Sequence, residues 1–268
     1  DGPVRLFQTA AQSGGRMTVP TTRVPPLWPA AAPQFTGAGL THSGAVRERN
    51  EDSILTDPTG VLWAIADGMG GYGHGDLASD IVIDCLSRVS DEALAVPALQ
   101  AQLRLANKTI FDRSQAPEMG AMGATVVALM IQNSVANIVW AGDCRAYLSR
   151  RGQLRLLTRD HTVVQDLVDQ GLLGIQERDN HPESHVVTRA VGAEPEIELD
   201  TLGVPLIAGD RILMCSDGLT ACMGDHEIAA HLNRRDTAEG IVQGLVAASL
   251  DAGAPDNVSV VCIFAEAG

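Results

Sequence analysis

The stretch Val61-Leu-Trp-Ala-Ile-Ala66-Asp67-Gly68 places a carboxylate and a glycine directly after six apolar residues. A short, continuous apolar run of this kind predicts a buried β-strand. The same arrangement recurs where Asp143 follows the run that ends at Ala141 and where Asp217 follows the run that ends at Ser216. Near the end of the chain, Asp256 comes just before another apolar run. The sequence therefore predicts acidic residues at the ends of several buried strands.

A carboxylate at the end of one strand is usually a turn former or a helix cap. Several carboxylates at the ends of strands in one sheet converge, and they repel one another when unpaired. A hard divalent cation removes that repulsion, and oxygen ligands without His or Cys favour Mg²⁺ or Mn²⁺ over zinc. The acidic pair Glu51-Asp52, ahead of a possible strand at Ser53–Thr56, joins the set. Gly68 lets the backbone approach closely, so its carbonyl is a further candidate ligand.

The chain has 268 residues, with 33 acidic and 19 basic side chains and a net charge of −14. An acidic surface repels a phosphate backbone, so we expect no nucleic-acid partner. No apolar run approaches the ~18 residues of a membrane-spanning helix, so we expect no membrane segment. The five cysteines form no C-x-x-C pair, which is typical of free thiols in a reducing compartment. We expect a cytoplasmic monomer.

Residues 1–36 differ from the rest because prolines interrupt any regular pattern, and they predict a flexible tail ahead of one domain, 37–268. Within the domain, helical periodicity around 77–85 and 238–246 predicts two helices, the second preceded by a possible capping box from Asp236 to Glu239. The stretch 161–185 is polar and irregular, and it is interpreted as an inserted flap or loop region. The fold class is α+β, with sheet layers covered by helices. Strands are predicted at Val61–Ala66, Thr125–Ile131, Val135–Ala141, Arg211–Cys215 and Val258–Phe264.

Two competing motifs are present in part. Gly68-x-Gly70-x-x-Gly73 formally matches the dinucleotide fingerprint. Asp67 would face the pyrophosphate, however, and no second strand that ends in an acid lies at the expected distance. Ser216 lacks the preceding glycine of a G-x-S-x-G elbow, which disfavours a serine hydrolase.

The acidic segments and their neighbours resemble the PPM/PP2C family of metal-dependent protein serine/threonine phosphatases, in its compact bacterial form. The segments occur in the family's order and cover roughly Leu40 to Phe264, which makes the ordered set far more specific than any single motif. The matching segments are Thr41–Asp52, Ala66–Gly71, Gly123–Thr125, Ala141–Arg145, Asp160–Thr162, Val187–Gly192, Ser216–Gly218 and Asp256-Asn257.

The resemblance implies a four-layer α/β/β/α sandwich, with two central, mainly antiparallel sheets flanked by helices and a metal cluster at one end. By motif position, Asp67 bridges two Mn²⁺ or Mg²⁺ ions. Asp217 and Asp256 hold the first ion, and the carbonyl of Gly68 holds the second.

The remaining site residues are also assigned by motif position. Glu51 and Asp52 act mostly through metal-bound water. Asp143, together with Asp217, matches the position of a third and weaker metal. Arg47 matches the phosphate-binding arginine, and the alternative for Arg47 is an ion pair with Glu51.

The implied reaction is hydrolysis of phosphoserine and phosphothreonine on proteins by a water that bridges two metals. The implied partners are phosphoprotein substrates and an opposing Hanks-type kinase. His42 stands where bacterial relatives usually carry Asp, which affects local packing. Met69 stands where animal members carry a histidine proposed as general acid, so the acid is left open between the loop residue His74 and other groups. His161 is expected to make structural hydrogen bonds.

Two other functions compete with this interpretation. One is a catalytically inactive, metal-free binding module with the same fold, and the retention of Asp67, Asp217 and Asp256 argues against it. The other is a different metal-dependent phosphoester hydrolase, such as a phosphodiesterase, and the ordered motifs argue against that.

Overall fold

The computed structural model describes residues 32–57, 60–70, 74–89 and 95–268, apart from the side chain of Asp179. Most of the predicted tail, residues 1–31, lies outside this part of the chain. The first strand begins at Gln34, three residues before the predicted start of the domain at Gly37. Gln34 pairs with Glu266 and His42 with Val258, so the whole segment is part of a sheet.

The described residues form ten strands and six α-helices. The strands are β1 Gln34–His42, β2 Asp52–Thr56, β3 Leu62–Gly70, β4 Met122–Gln132, β5 Val135–Ala141, β6 Arg145–Arg150, β7 Gln153–Leu156, β8 Asp200–Pro205, β9 Arg211–Cys215 and β10 Val258–Glu266. The helices are α1 Gly75–Leu86, α2 Val96–Ser114, α3 Val163–Asp169, α4 Asp217–Cys222, α5 Asp225–Leu232 and α6 Ala238–Asp251.

The strands form two five-stranded sheets, ordered β1-β10-β9-β6-β7 and β2-β3-β4-β5-β8. Every neighbouring pair is antiparallel. Helices α1 and α2 pack on the second sheet, and α4 and α6 pack on the first. This is the predicted four-layer α/β/β/α sandwich.

The period-two alternation of the strands divides the core into three apolar layers. Along β3, Ala64 points toward α1 and α2, whereas Trp63 and Ile65 point into the space between the sheets. Along β9, Met214 points between the sheets and Leu213 points toward the helices that cover the first sheet. Each sheet is therefore buried on both faces, which explains why its strands read as continuous apolar runs.

The structure confirms all five predicted strands and both predicted helices. β5 and β9 match the predicted bounds, whereas β3 runs four residues further, to Gly70. Asp67 thus lies inside a strand rather than after it, because β4 begins early enough for Thr125 to pair with Asp67. The remaining strands and helices were not predicted because their sequences contain no long apolar run. Strand β7, for example, is only four residues long.

Two local predictions need correction. The N-cap of α6 is Thr237, whose side chain accepts a hydrogen bond from the Gly240 amide at 3.1 Å. Asp236 instead accepts one from the Thr237 amide, so the predicted capping box is wrong. The stretch 161–185 is not irregular throughout, since it contains α3 and a 3-10 turn at Arg178–Asn180.

No helix among the described residues is both long and apolar enough to cross a membrane.

Candidate active site

The strand ends of both sheets meet at a cleft of about 770 Å³. Seven of the eight predicted site residues line it: Arg47, Glu51, Asp67, Gly68, Asp143, Asp217 and Asp256. The eighth, Asp52, is buried, with 5% of its surface exposed. The structure therefore brings together residues that lie more than 200 positions apart in the sequence.

Asp67 occupies the centre of this acidic group. β3 carries it opposite Asp52 on β2 and opposite Thr125 on β4. Burial and the nearby charges of Asp52, Asp217 and Asp143 raise the pKa of Asp67 well above its ordinary value. At neutral pH the cluster therefore favours either a proton or a cation next to this carboxylate.

Asp52 is held from one side only. Its Oδ2 accepts hydrogen bonds from the hydroxyls of Ser216, at 2.8 Å, and Ser259, at 2.6 Å. Its Oδ1 is buried and has no hydrogen-bond partner. Burial raises the pKa of Asp52 to about 6, although both serine hydroxyls act in the opposite direction.

Asp217 is fixed by a close contact between two backbones. It begins α4, and the next residue, Gly218, lies so close to Asn257 that a Cβ there would be 1.9 Å from the Asn257 carbonyl oxygen. Burial and the charge of Asp256 raise the pKa of Asp217. The charge of Asp217 in turn raises the pKa of Asp67, so these two acids do not both ionise freely.

Asp143 lies in a turn that His161 supports. The Gly142 amide donates to His161 Nδ1 at 3.0 Å, and the His161 amide donates to the Gly142 carbonyl at 2.9 Å. Gly142 has φ +107°, and a Cβ there would be 2.3 Å from the Cβ of Thr125, so only glycine fits. Burial and the charge of Asp217 raise the pKa of Asp143 to about 7. The structural hydrogen bonds predicted for His161 are present.

Asn257 organises the segment that carries Glu51. Its Oδ1 accepts from the Glu51 amide at 2.8 Å, and its Nδ2 donates to the carbonyls of Ser43 and Arg49, both at 2.9 Å. The Gly68 amide in turn donates to the Glu51 carbonyl at 3.1 Å. One buried amide side chain therefore fixes the loop in front of β2 against the strand that carries Asp67.

Arg47 is paired in the structure with Asp256, not with Glu51. Its Nη2 donates to Asp256 Oδ2 at 2.7 Å, and 56% of the Arg47 side chain is exposed. This ion pair raises the pKa of Arg47. The guanidinium lies at the mouth of the cleft and keeps most of its donors available to a ligand.

The donor set fits a hard divalent cation. It consists of carboxylates that repel one another, and it includes the unpartnered Oδ1 of Asp52. No three acidic, histidine or cysteine side chains of the described residues form a group that could hold a metal ion as they stand. The separation between the acids that this implies is compatible with Mg²⁺ and Mn²⁺. Mg²⁺ in proteins usually keeps several water ligands, which can fill the space between the acids and the ion.

Sequence reasoning missed several residues of the site. Ser216 and Asn257 lie in the quoted motifs, but their roles as hydrogen-bond partners of Asp52 and Glu51 depend on tertiary contacts. Ser259 lies in an apolar run. A hydroxyl buried within such a run needs a hydrogen-bond partner, and this requirement could have indicated that Ser259 contacts another polar group. His185 and Val187 also line the cleft. Val187 begins one of the segments that match the family, but no role in the site was predicted for either residue. His74 does not line it.

The fold and the site together define a class of protein: a four-layer sandwich of two antiparallel sheets between helices, with an acidic, arginine-flanked cleft at one end. A family model described as protein phosphatase 2C matches residues 38–252. The chain therefore belongs to the protein phosphatase 2C family.

Curated relatives agree with this assignment. The chain is 36% identical over 228 residues to the serine/threonine protein phosphatase PstP of Mycobacterium tuberculosis, covering 84% of this chain and 44% of the relative. It thus spans less than half the length of that protein. It is 32% identical over 234 residues to the serine/threonine phosphatase stp of Listeria monocytogenes, covering 83% of this chain and 93% of the relative.

Solved structures show the same fold. The crystal structure of the M. tuberculosis phosphatase PstP/Ppp matches with a TM-score of 0.81 and 36% identity, covering 87% of this chain and 99% of that one. A structure of the PstP catalytic domain in complex with two manganese ions matches with a TM-score of 0.76 and 34% identity, covering 87% and 98%.

Proposed function

We propose that this protein hydrolyses phosphoserine and phosphothreonine on other proteins in a reaction that depends on Mn²⁺ or Mg²⁺. The observation that carries the proposal is the convergence of Asp67, Asp143, Asp217 and Asp256 with Arg47 in one cleft. The relatives named as serine/threonine phosphatases, and the one bound to manganese, support it.

Two metal ions are assigned to the centre of the cleft. Asp67 would contact both, Asp217 and Asp256 would hold the first, and the carbonyl of Gly68 would hold the second. Divalent ions bound there supply an activated water near neutral pH and offset the charge of the phosphate oxygens. A set of oxygen donors with raised pKa values supports this assignment.

The outer acids have separate tasks. Glu51 and Asp52 would act through water, and the hydroxyls of Ser216 and Ser259 leave one oxygen of Asp52 available for it. Asp143, buried beside Asp217, would hold a third and weaker ion.

Arg47 would bind the phosphate of the substrate. Its planar guanidinium can donate to two phosphate oxygens at once, which orients the phosphorus toward the attacking water. The present ion pair with Asp256 supports this role, because it keeps the arginine at the cleft until a phosphate competes for it. No protein nucleophile is required.

We also propose the extent of the domain, its partners and its location in the cell. We assign the phosphatase domain to the predicted range 37–268, extended back to Gln34, with residues 161–185 beside the cleft, since His185 lines it. The partners would be phosphoproteins and an opposing Hanks-type kinase, and the protein would act as a cytoplasmic monomer.

The test is hydrolysis of p-nitrophenyl phosphate and of a phosphothreonine peptide with Mn²⁺, with Mg²⁺ and with EDTA. We expect activity with either ion and none with EDTA. An inactive binding module would bind the peptide without turnover, and a phosphodiesterase would prefer bis-p-nitrophenyl phosphate. Full activity in a rigorously metal-free preparation would end the proposal.

A further inference from the structure

Asn107 is a buried amide within an otherwise apolar layer. It lies on α2, is 2% exposed, and is surrounded by the side chains that pack α1 and α2 on the second sheet. Its Oδ1 accepts from the Gly192 amide at 2.7 Å, and its Nδ2 donates to the carbonyls of Glu194 and Pro195 at 3.0 and 3.2 Å. All three bonds go to one loop, residues 190–195, which we call the strap.

The strap continues the hydrogen bonding of β4 where β5 leaves it. The last pair between β4 and β5 is Val126 with Ala141, after which the chain turns away toward Asp143. Val191 takes the vacated place: its amide donates to the Ala124 carbonyl at 2.8 Å, and the Ala124 amide donates to the Val191 carbonyl at 2.9 Å. The strap therefore acts as a one-residue strand at the edge of the cleft.

The Val191–Ala124 bridge lies next to the part of β3 that carries Asp67 and Gly68. Ala124 pairs with Gly68 on its other side, and the next residue of β4, Thr125, pairs with Asp67. Gly192 has φ +88°, and a Cβ there would be 2.2 Å from Ile110, so no larger residue fits between the strap and α2 at this point.

The segment just before the strap reaches the other acidic turn. Arg189 donates to Asp200 at 2.9 Å and contacts His161 Nε2 at 3.2 Å. His161 supports the turn that carries Asp143. Hydrogen bonds, together with the chain between Arg189 and Gly192, thus connect Asn107 with both acid-bearing segments.

We propose that Asn107 is a positioning residue of the active site, which sets divalent-cation affinity by holding the strap against β4. The inference rests on the proposed function. Without the Asn107 amide, the Gly192 amide and the Glu194 and Pro195 carbonyls lose their partners, and the Val191–Ala124 bridge loses its support. The end of β4 that pairs with Asp67-Gly68 then has no hydrogen-bonded neighbour on its outer side.

The test compares Asn107→Leu with Leu103→Ala. Leucine is similar in volume to asparagine but makes no side-chain hydrogen bonds, and Leu103→Ala weakens the same helix and core layer without removing a hydrogen bond to the strap. We expect Mn²⁺ affinity, measured by calorimetry, to fall about tenfold or more in Asn107→Leu, as for outer-shell groups of metal sites. Leu103→Ala lowers the midpoint of thermal unfolding but keeps the Mn²⁺ affinity. Asn107→Asp retains an acceptor for the Gly192 amide and should lose less affinity than Asn107→Leu.

A second measurement needs no metal. Hydrogen exchange at the amides of Ala124 and Val191 should speed up in Asn107→Leu and stay unchanged in Leu103→Ala. If Asn107→Leu binds Mn²⁺ as the wild type does, the inference is overturned while the proposed function stands. If the wild type itself binds no Mn²⁺, both fall.

Discussion

Asp52 and Asp67 lie directly opposite each other in the antiparallel pair of β2 and β3. Opposed residues in such a pair have Cβ atoms ~5 Å apart, and like charges at this distance destabilise the sheet. Neither acid has a basic partner among the hydrogen bonds and ion pairs of the described residues. The pair is therefore strained electrostatically unless a proton or a cation lies beside it.

Asp67→Asn should lower kcat by at least about 100-fold, since losing a metal loses the activated water. The same change should raise the midpoint of unfolding of the metal-free protein at pH 8. The raised pKa of Asp67 means that its native-state stabilisation is present when it is protonated and is lost as the pH rises through that pKa. Thermal unfolding at pH 4 and pH 8 checks this, and a variant that is less stable than the wild type at pH 8 contradicts it.

The apparent affinity for Mn²⁺ should rise between about pH 5 and pH 8 and then level off. The pKa of Asp52 is about 6 and that of Asp143 about 7, so protons compete with the metal at low pH. Calorimetry in two buffers with different heats of ionisation should detect the released protons. An affinity that does not change over this range would mean that these acids are not ligands, directly or through water.

Arg47→Ala should raise KM for a phosphopeptide and lower kcat/KM by roughly 10- to 1000-fold, the range for a charge-assisted hydrogen bond that tightens in the transition state. Mn²⁺ affinity should stay the same or rise, because Asp256 loses its competing partner. Arg47→Lys should recover only part of the loss. The matched control is Arg104→Ala, an exposed arginine on α2 that does not line the cleft. Unchanged inhibition by inorganic phosphate in Arg47→Ala would show that Arg47 does not touch the phosphate.

Asp143→Ala should keep two tightly bound ions yet lose activity on phosphopeptide, because Asp143 is assigned to the weaker third ion. Calorimetric titration with Mn²⁺ separates the sites. The loss of both tight sites would refute this division between the acids.

Gly142→Ala should destabilise the protein by about 3 kcal/mol or more, through backbone strain at positive φ together with a clash. Gly209→Ala is the control, since Gly209 has φ +91° but a Cβ added there would have no neighbour within 4 Å. Gly209→Ala should lower the free energy of unfolding only by the backbone strain, about 1–2 kcal/mol. If urea unfolding shows the same loss of free energy of unfolding in both variants, the close approach of Gly142 to Thr125 does not contribute to the effect.

The acids that line the cleft could be predicted because each follows or precedes a buried apolar run, as Asp217 does after β9. The family resemblance then supplied the role that is predicted for each of them. What a local pattern cannot contain is a contact between distant residues. Examples are the hydroxyls of Ser216 and Ser259 on Asp52, and the amide of Asn107 on the strap.

The partners of Arg47 illustrate the same limit. Spacing along the chain suggested Glu51, four residues away, as the alternative ion-pair partner. The structure selects Asp256, 209 residues away, because β10 begins beside the loop in front of β2. Likewise, β3 extends past Asp67 only because β4 is long enough to pair with it, and the length of a partner strand is not encoded in the run that ends at Ala66.

The side chains between the two sheets have a consequence beyond stability. Asp67 belongs to one sheet and Asp217 follows a strand of the other, so the gap between their carboxylates depends on how far apart the sheets are packed. That separation, ~10 Å in stacked sheets, is set by close-packed side chains such as Ile65 and Met214, which resist compression. The apolar packing between the sheets therefore sets how far apart these two carboxylates lie. A methylene added or removed there should alter that distance without changing any residue that lines the cleft.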